Sequence, residues 1–179
     1  MNINYEFIAS AVSYYSHLGY EYIEVPWLVS WDALNITRPP HAQPYQTFSG
    51  NLVASGEQSF LEIRDKLEVG KRYQCVTPCF RDENYDDLHK EWFIINELIW
   101  VVNHDLPKYL MMCLEDAKSF FSNYGRAEIV DTDIGKDLFI NGIEVGSYGY
   151  RGHEKFRWVY GTGVAEPRFS QALNNLVKG

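Results

Sequence analysis

Cysteine is scarce in this 179-residue sequence, and its apolar runs are short. The three cysteines, Cys75, Cys79 and Cys113, are an odd number and include no CxxC pair, which excludes a disulfide framework and a zinc ribbon. Polar residues interrupt every apolar run well before the roughly 20 residues that a membrane span requires. Residues 1–6 also lack the basic start of a signal peptide. The sequence therefore predicts a protein of the reduced cytoplasm that has no membrane partner.

Basic side chains are also few. The 16 Lys and Arg residues are outnumbered by 24 Asp and Glu residues, which gives a net charge of -8. Sequence-independent binding to a phosphate backbone depends on clustered Lys and Arg, so this composition disfavours a general nucleic-acid binder. The composition is 46% apolar and 22% charged, which is typical of a globular protein. We therefore expect a single domain over residues 1–179.

The spacing of apolar residues predicts helices and strands in an irregular order. Helical spacing covers four segments, residues 5–18, 59–67, 106–124 and 166–177. Strand-like patterns cover seven segments, residues 20–25, 73–80, 92–102, 127–130, 138–140, 143–145 and 156–160. Because helices and strands do not alternate regularly, the predicted fold class is α+β, with an antiparallel β-sheet flanked by helices.

Local signals indicate caps, turns and loops. Asp105 is the predicted N-cap of the third helix, which has Pro107 in its first turn and is expected to end at Gly125. The pair Asn141-Gly142 predicts a tight type I′ hairpin turn. Prolines and polar residues between positions 35 and 56 predict a long loop without regular structure. Loops of that length are often lids or binding loops.

The first group of residues with chemical potential lies on a predicted hairpin. Arg81 and Glu83 follow one strand, while His89 and Phe93 lie at the start of the returning strand. An arginine and an aromatic ring in this setting can hold a triphosphate and stack on a base. Composition alone favours the simpler alternative, a hairpin with solvated charges and Phe93 in the core.

The second group is a pair of glycines before the last helix. Gly161 and Gly163 can let the backbone come close to a ligand, and Arg168 lies where it can reach a phosphate. A turn that precedes a helix often has the same pattern, so these residues alone indicate little.

The third group lies on the segment before those glycines. Glu144 and Ser147 offer hard oxygen ligands that suit magnesium held by substrate phosphates, and Arg151 can bind a carboxylate through two hydrogen bonds. The alternative is an exposed hairpin and turn.

Together the three groups resemble the signature motifs of the class II aminoacyl-tRNA synthetases. The segment from Phe80 to Glu97 is similar to motif 2, and Gly161 to Arg168 is similar to motif 3. The opening helix and the residues up to Pro26 resemble motif 1, so the resemblance covers about residues 5–173. Motif 2 is the most specific of the three and motif 1 the least. The resemblance implies the catalytic fold of this class.

One segment narrows the resemblance to the aspartyl and asparaginyl enzymes of subclass IIb. Residues 137–153 are similar to the stretch before motif 3 in those enzymes. The resemblance implies that Glu144 and Ser147 serve magnesium and ATP, and that Arg151 grips the carboxylate or amide of the substrate side chain. Residues 55–58 resemble an amino-acid-binding stretch, in which the α-amino contact falls to one of two residues, Glu57 or Gln58.

The activity implied by the resemblance is adenylation of an amino acid with ATP and Mg²⁺, which is a ligase reaction. Arg81 would bind the α-phosphate and the attacking carboxylate, which makes it a catalytic residue together with Arg168. Phe93 would stack on adenine, and Arg168 would cover the other face of the base. His89 would lie near the γ-phosphate, and Glu83 would hold the adenine amino group or the motif 2 loop.

Departures from the family pattern argue against tRNA as the acceptor. We expect no anticodon-binding domain, because Met1 lies only a few residues before the first motif. The carboxylates of the loop at residues 84–88, on Asp86 and Asp87, would repel an acceptor stem. The leading hypothesis is a free-standing, minimal enzyme that activates aspartate or asparagine and passes it to ammonia, a small molecule or a protein. The alternative is a non-catalytic paralogue that binds a nucleotide or an amino acid, for which a pocket blocked by residues 39–50 would be a sign. Aminoacylation of tRNA is the least favoured.

Motif 1 of the family forms a two-fold interface, which implies a homodimer. Tyr14, Tyr15 and the stretch from Trp27 to Trp31 are the aromatic residues expected there. The alternative is that these rings only pack the core of the monomer.

Overall fold

The computed structural model describes residues 2–82 and 90–175. Its helices are α1 (Tyr5–His17), α2 (Trp31–Thr37), α3 (Gly56–Glu62), α4 (Leu106–Ser122) and α5 (Arg168–Asn174), with a 3-10 turn at Arg64–Lys66. Its strands are β1 (Tyr20–Tyr22), β2 (Leu28–Val29), β3 (Gln46–Thr47), β4 (Gly50–Leu52), β5 (Arg72–Phe80), β6 (Trp92–Val101), β7 (Ala127–Thr132), β8 (Gly135–Ile140), β9 (Ile143–His153) and β10 (Phe156–Glu166). Over these residues, no helix combines the length and the apolar character that a bilayer crossing requires.

Seven strands form one sheet in the order β1-β5-β6-β10-β9-β8-β7. Strand β1 pairs with β5 in parallel, and every other neighbouring pair is antiparallel. The strands β2, β4 and β3 form a separate small antiparallel sheet. The α+β class predicted from the sequence is therefore confirmed, including the flanking helices.

The two faces of the large sheet carry separate apolar cores. Helices α1, α4 and α5 pack on one face, which we call the helix face, where Tyr15 and Phe121 meet Leu98. Helices α2 and α3 cover part of the other face, which we call the site face, where Phe60 meets Ile99. Adjacent residues of β6 enter opposite cores because side chains alternate across a strand.

The three cysteines are unpaired and buried, as expected for small apolar residues. Burial raises the pKa of the Cys113 thiol to about 12, with a smaller opposing effect from the hydrogen bond to Tyr20. The thiols of Cys75 and Cys79 also have raised pKa values, for which burial is again the main cause. Such thiols stay protonated and unreactive near neutral pH.

Helix ends agree with the sequence signals at α1 and, in part, at α4. The Asn4 side chain caps α1 by accepting a hydrogen bond from the Glu6 N–H, and Gly19 follows the helix with φ +88°. Asp105 is the N-cap of α4 and Pro107 lies in its first turn, as predicted, but Asp105 has φ 49° and its side chain makes no cap hydrogen bond. The helix ends at Ser122, before Gly125, where Asn123 donates side-chain hydrogen bonds to two carbonyls of the last turn.

The expected structureless loop over residues 35–56 was wrong at both ends. Helix α2 extends to Thr37, and β3 and β4 lie within the segment. These strands have two and three residues, too few to leave an alternating pattern in the sequence. The predicted hairpin turn is present, since Asn141 and Gly142 have φ values of 54° and 76°.

Strands β9 and β10 are much longer than predicted, because glycines inside strands hid their pattern. Each strand has 11 residues and runs through segments that were interpreted as turns. Gly149, for example, lies beneath Tyr160, whose hydroxyl would be 2.4 Å from a Cβ at that position. A glycine that makes room for a cross-strand ring is compatible with a regular strand.

Candidate active site

A cavity of about 120 Å³ lies on the site face, between the ends of four strands and the start of α5. It is lined by Arg81, Phe93, Glu144, Ser147, Thr162 and Arg168, among others. Strand pairing explains this convergence, because Cys79 faces Phe93 across β5 and β6, and Arg81 follows Cys79 by two residues on the same side. Residues from all three sequence motif groups thus meet in one cavity.

Arg81 is held by both the backbone and an aromatic ring. Its Nε donates a hydrogen bond of 2.9 Å to the carbonyl of Ala54, and its backbone N–H donates to the carbonyl of Glu91 at 2.9 Å. The guanidinium carbon lies 4.9 Å from the centroid of the Phe93 ring, within the range of a cation–π contact. A base that stacks on Phe93 therefore takes either the opposite ring face or the place of this guanidinium.

Arg168 and Glu144 form an ion pair at the cavity wall. Arg168 Nη1 lies 3.2 Å from Glu144 Oε1, and both side chains are partly buried. Arg168 is the first residue of α5, while Glu144 lies on β9, so the pair joins the end of motif 3 to the strand before it. The arginine assigned to the adenine and the glutamate assigned to the metal are direct neighbours.

The residues assigned to magnesium fit an ion that is held mainly by phosphates. Glu144 and Ser147 both line the cavity and offer one carboxylate and one hydroxyl. Residues 2–82 and 90–175 contain no group of three or more His, Cys, Asp or Glu side chains that could hold a metal by itself. Mg²⁺ commonly takes one or two protein oxygens and completes its shell with phosphate and water, so this donor set is compatible with it.

Next to the cavity, Glu57 and Arg151 form a second polar site. Glu57 Oε1 accepts a hydrogen bond of 2.6 Å from the indole Nε1 of Trp158 and lies 3.2 Å from Arg151 Nε. The Arg151 guanidinium lies 4.9 Å from the centroid of the Tyr160 ring. Burial raises the pKa of Glu57, opposed by the positive charge of Arg151 and by the Trp158 hydrogen bond.

The structure separates the two candidates for the α-amino contact. The Gln58 side chain accepts a hydrogen bond from the Ala54 N–H at 2.8 Å and donates one to the Leu34 carbonyl at 3.5 Å. These bonds connect Gln58 to the loop before α3 and to the middle of α2. Glu57 is the one that contacts Arg151, so of the two residues it lies within the polar site.

Glu97 is a third buried acid to which sequence reasoning assigned no role. Its side chain lies against α3, where the backbone N–H groups of Gly56 and Glu57 donate hydrogen bonds to its carboxylate. Burial raises the pKa of Glu97 well above its usual value, and the nearby Glu57 carboxylate raises it further. The sequence did indicate a functional role for Glu97, because a charged residue in the middle of an apolar strand is unusual.

Trp158 and Tyr160, which contact Glu57 and Arg151, could not be recognised from the sequence, because aromatic residues are common in strands.

Some sequence-based assignments lie outside the cavity or outside the described residues. Glu83 and His89 fall in residues 83–89, which the structure does not describe. The loop of residues 39–50 contributes nothing to the cavity lining. Instead it is fixed at the outer ends of the strands, where the Tyr45 hydroxyl donates to Glu91 Oε1 at 2.9 Å. The blocked pocket that would have favoured a non-catalytic paralogue is not the arrangement found in this part of the chain.

The glycine pair of motif 3 has a different role from the one expected. A Cβ on Gly161 would lie 2.3 Å from the Tyr148 ring, and a Cβ on Gly163 would lie 2.1 Å from Asn96 Oδ1. Tyr148 and its neighbours belong to the helix face, so the open side of both glycines points away from the cavity. The glycines make room for packing behind the site.

Comparison with solved structures identifies the fold. The chain matches pyrrolysyl-tRNA synthetase from Desulfitobacterium hafniense with a TM-score of 0.70 and 15% identity, over 97% of this chain and 69% of that one. It matches seryl-tRNA synthetase from Pyrococcus horikoshii, complexed with ATP, with a TM-score of 0.73 and 13% identity, over 93% of this chain and 48% of that one. The cytoplasmic serine-tRNA ligase from Naegleria fowleri, in complex with AMP, gives the same TM-score and identity, with 46% of its length covered.

The chain therefore has the catalytic fold of the class II aminoacyl-tRNA synthetases. At the sequence level, neither a protein-family model nor a curated protein matches it. It spans about two thirds of the pyrrolysyl enzyme and just under half of the seryl enzymes. Both seryl enzymes contain an adenine nucleotide in their structures.

Proposed function

We propose that this chain activates a small amino acid with ATP to give an aminoacyl-adenylate, and that its substrate is aspartate or asparagine. The observation that carries the proposal is the meeting of Arg81, Phe93, Glu144 and Arg168 in one cavity beside the Glu57–Arg151 pair. The fold supports amino-acid activation in general. The resemblance of residues 137–153 to the aspartyl and asparaginyl enzymes supports the narrower substrate class.

The reaction needs positioning and charge neutralisation more than a reactive side chain. A carboxylate oxygen of the amino acid attacks the α-phosphorus of ATP, a new C–O–P linkage forms, and pyrophosphate leaves with the bonding electrons. Arg81 brings a positive charge to the point where the two anions meet. Phe93 and Arg168 hold the adenine, and fixing both reactants removes much of the entropic barrier.

Glu144 and Ser147 would hold the magnesium ion together with the phosphates. The bound ion would supply positive charge to the polyphosphate. In the structure the Glu144 carboxylate is paired with Arg168 at 3.2 Å. Glu144 thus links the part of the site that binds adenine to the part that binds the ion.

The polar site next to the cavity suits an amino acid. The buried Glu57 carboxylate, paired with Arg151, attracts the α-ammonium group. Arg151 presents a guanidinium that can hydrogen-bond to a side-chain carboxylate or amide. Trp158 fixes Glu57 through its indole N–H, which keeps both groups in place before the substrate binds.

Charge and exposed apolar surface support the remaining parts of the proposal. A net charge of -8 favours a non-tRNA acceptor such as ammonia, a small molecule or a protein. Exposed Trp27 and Trp31 beside the small sheet support a homodimer through the motif 1 region. The unpaired cysteines agree with a cytoplasmic location.

The test is amino-acid-dependent exchange of labelled pyrophosphate into ATP, with magnesium and each of the 20 amino acids in turn. We expect exchange with aspartate or asparagine and none without an amino acid. Calorimetric titration of ATP runs in parallel. ATP binding without exchange for any amino acid would contradict activation and would support the non-catalytic paralogue. Absence of ATP binding would contradict the nucleotide site itself.

A further inference from the structure

A β-bulge in β10 shapes the floor of the cavity. Thr162 pairs with Glu97 across β6 and Val164 pairs with Asn96, so Gly163 is an extra residue between them. A bulge shifts the side-chain alternation by one position. Val164 consequently packs on the helix face, while Thr162 and Ala165 both line the cavity.

Two buried tyrosines hold the backbone of this bulge from behind. The Tyr148 hydroxyl donates a hydrogen bond of 2.6 Å to the carbonyl of Thr162, and the Tyr15 hydroxyl donates one of 3.1 Å to the carbonyl of Gly163. Both rings are fully buried. Burial also raises both tyrosine pKa values, so each hydroxyl keeps the proton that it donates.

Three glycines, which have no side chain, make room for the two tyrosines and for Asn96. Gly161 and Gly146 leave the space that the Tyr148 ring occupies, and Gly163 leaves space for Asn96 and Tyr15. On the cavity side, the Thr162 hydroxyl oxygen accepts a hydrogen bond of 3.4 Å from the Ser147 N–H. The bulge therefore connects tyrosines on α1 and β9 to groups that line the cavity.

We propose that Tyr15 and Tyr148 are positioning residues for nucleotide binding, because they fix the bulge that sets the direction of Thr162, Ala165 and the entry into α5. The inference rests on the proposed ATP site. Neither tyrosine lines the cavity, so both act through the two carbonyls and through Arg168, which follows the bulge at the start of α5.

The test compares Tyr148→Phe and Tyr15→Phe with Tyr20→Phe. Tyr20 is a matched control, because it is buried to the same extent on the helix face, and its hydroxyl donates to Asp116 at 3.2 Å rather than to a carbonyl of the bulge. We expect the two bulge variants to raise the KM for ATP about threefold to tenfold, the range that one net hydrogen bond gives. We expect kcat at saturating ATP to change less. The control should lose similar thermal stability with an unchanged KM.

Hydrogen exchange of the amides in residues 161–166 provides a readout that does not depend on the nucleotide. We expect faster exchange in Tyr148→Phe than in the wild type or in Tyr20→Phe. Equal exchange and an equal KM in all variants would overturn the inference. If Tyr148→Phe does not fold, Tyr15→Phe makes the same test on the neighbouring carbonyl. A wild type that binds no ATP would contradict the proposed function, whereas unchanged exchange contradicts the positioning role alone.

Discussion

Arg81 lines the cavity, donates a hydrogen bond to the Ala54 carbonyl and contacts the Phe93 ring. We predict that Arg81→Ala reduces pyrophosphate exchange by about 10²-fold or more, the loss typical of removing one donor to a developing anionic charge. The matched control is Arg126→Ala, which removes an arginine whose side chain is 88% exposed and paired with Glu128. Equal activity in both variants would show that Arg81 does not take part in the chemistry.

The buried acid Glu97 should make stability depend on pH. Its pKa is raised in the folded state, mainly by burial, so the folded protein keeps a proton that the unfolded chain releases above about pH 4.5. This contribution to stability is full at low pH and is lost as the pH rises through the folded-state pKa. We predict that Glu97→Gln loses less stability than the wild type between pH 4.5 and 7, measured by urea unfolding. The exposed Glu128→Gln variant should follow the wild type, and parallel curves for all three proteins would contradict the prediction.

For single residues, the sequence predicts which side chains belong to the site but not which residues they contact. Arg81, Glu144 and Arg168 were recognised from their motifs, and the structure brings them to one cavity. The contact of Glu57 with Arg151 and Trp158 joins residues that are distant along the chain, and no local pattern encodes it. Glu57 makes that contact, whereas the Gln58 side chain bonds to the backbone of Ala54 and Leu34.

Among the elements, helix α3 packs closely on the sheet at its first residue. A Cβ on Gly56, at the start of α3, would lie 2.5 Å from the Cβ of Glu97, which is closer than folded proteins allow. We predict that Gly56→Ala lowers the free energy of unfolding by about 1–3 kcal/mol, because the helix must move away from β6. Denaturant unfolding measures the change.

Gly152→Ala is the control for that substitution. Its Cβ would meet Arg157 Cγ at 3.5 Å, an ordinary contact, so we expect a change within about 0.5 kcal/mol. If Gly56→Ala were as stable as Gly152→Ala, the close packing of α3 on β6 would be wrong.

The helices and strands also show which sequence patterns predict the ends of an element accurately. The long amphipathic helices α1 and α4 and the apolar strands β5 and β6 were predicted nearly to their ends, because each has a strong period. Strands β9 and β10 were predicted too short, because their glycines serve neighbouring rings rather than turns. Tertiary packing sets the length of these two strands, and a single sequence does not record it.

For the molecule as a whole, the exposed aromatic residues bear on assembly. Tyr15 is fully buried and Tyr14 packs against the same core, so these two rings serve the monomer. Trp27 and Trp31 are 55% and 46% exposed, and Phe48 is fully exposed at the tip of the β3–β4 turn. Of the aromatic residues expected at the dimer surface, Trp27 and Trp31 are therefore available for it, and Tyr14 and Tyr15 are not.

We predict a concentration-dependent dimer in sedimentation velocity that Trp31→Lys shifts toward the monomer. The reason is that an interface stabilised by aromatic burial does not tolerate a charge at its centre. Ile134→Lys is the control, since Ile134 is 78% exposed on the β7–β8 turn, away from the small sheet. Wild-type protein that sediments at monomer mass at high concentration would contradict the dimer.

The place of β10 in the sheet has a consequence for how the chain is made. Strand β10 lies between β6 and β9, and these two strands do not pair with each other. On the ribosome, β1, β5 and β6 emerge early, and β7, β8 and β9 follow as a second block. Each block presents an unpaired edge until residues 156–166 leave the exit tunnel and join the two. The nascent chain is then most prone to aggregate just before its central strand appears.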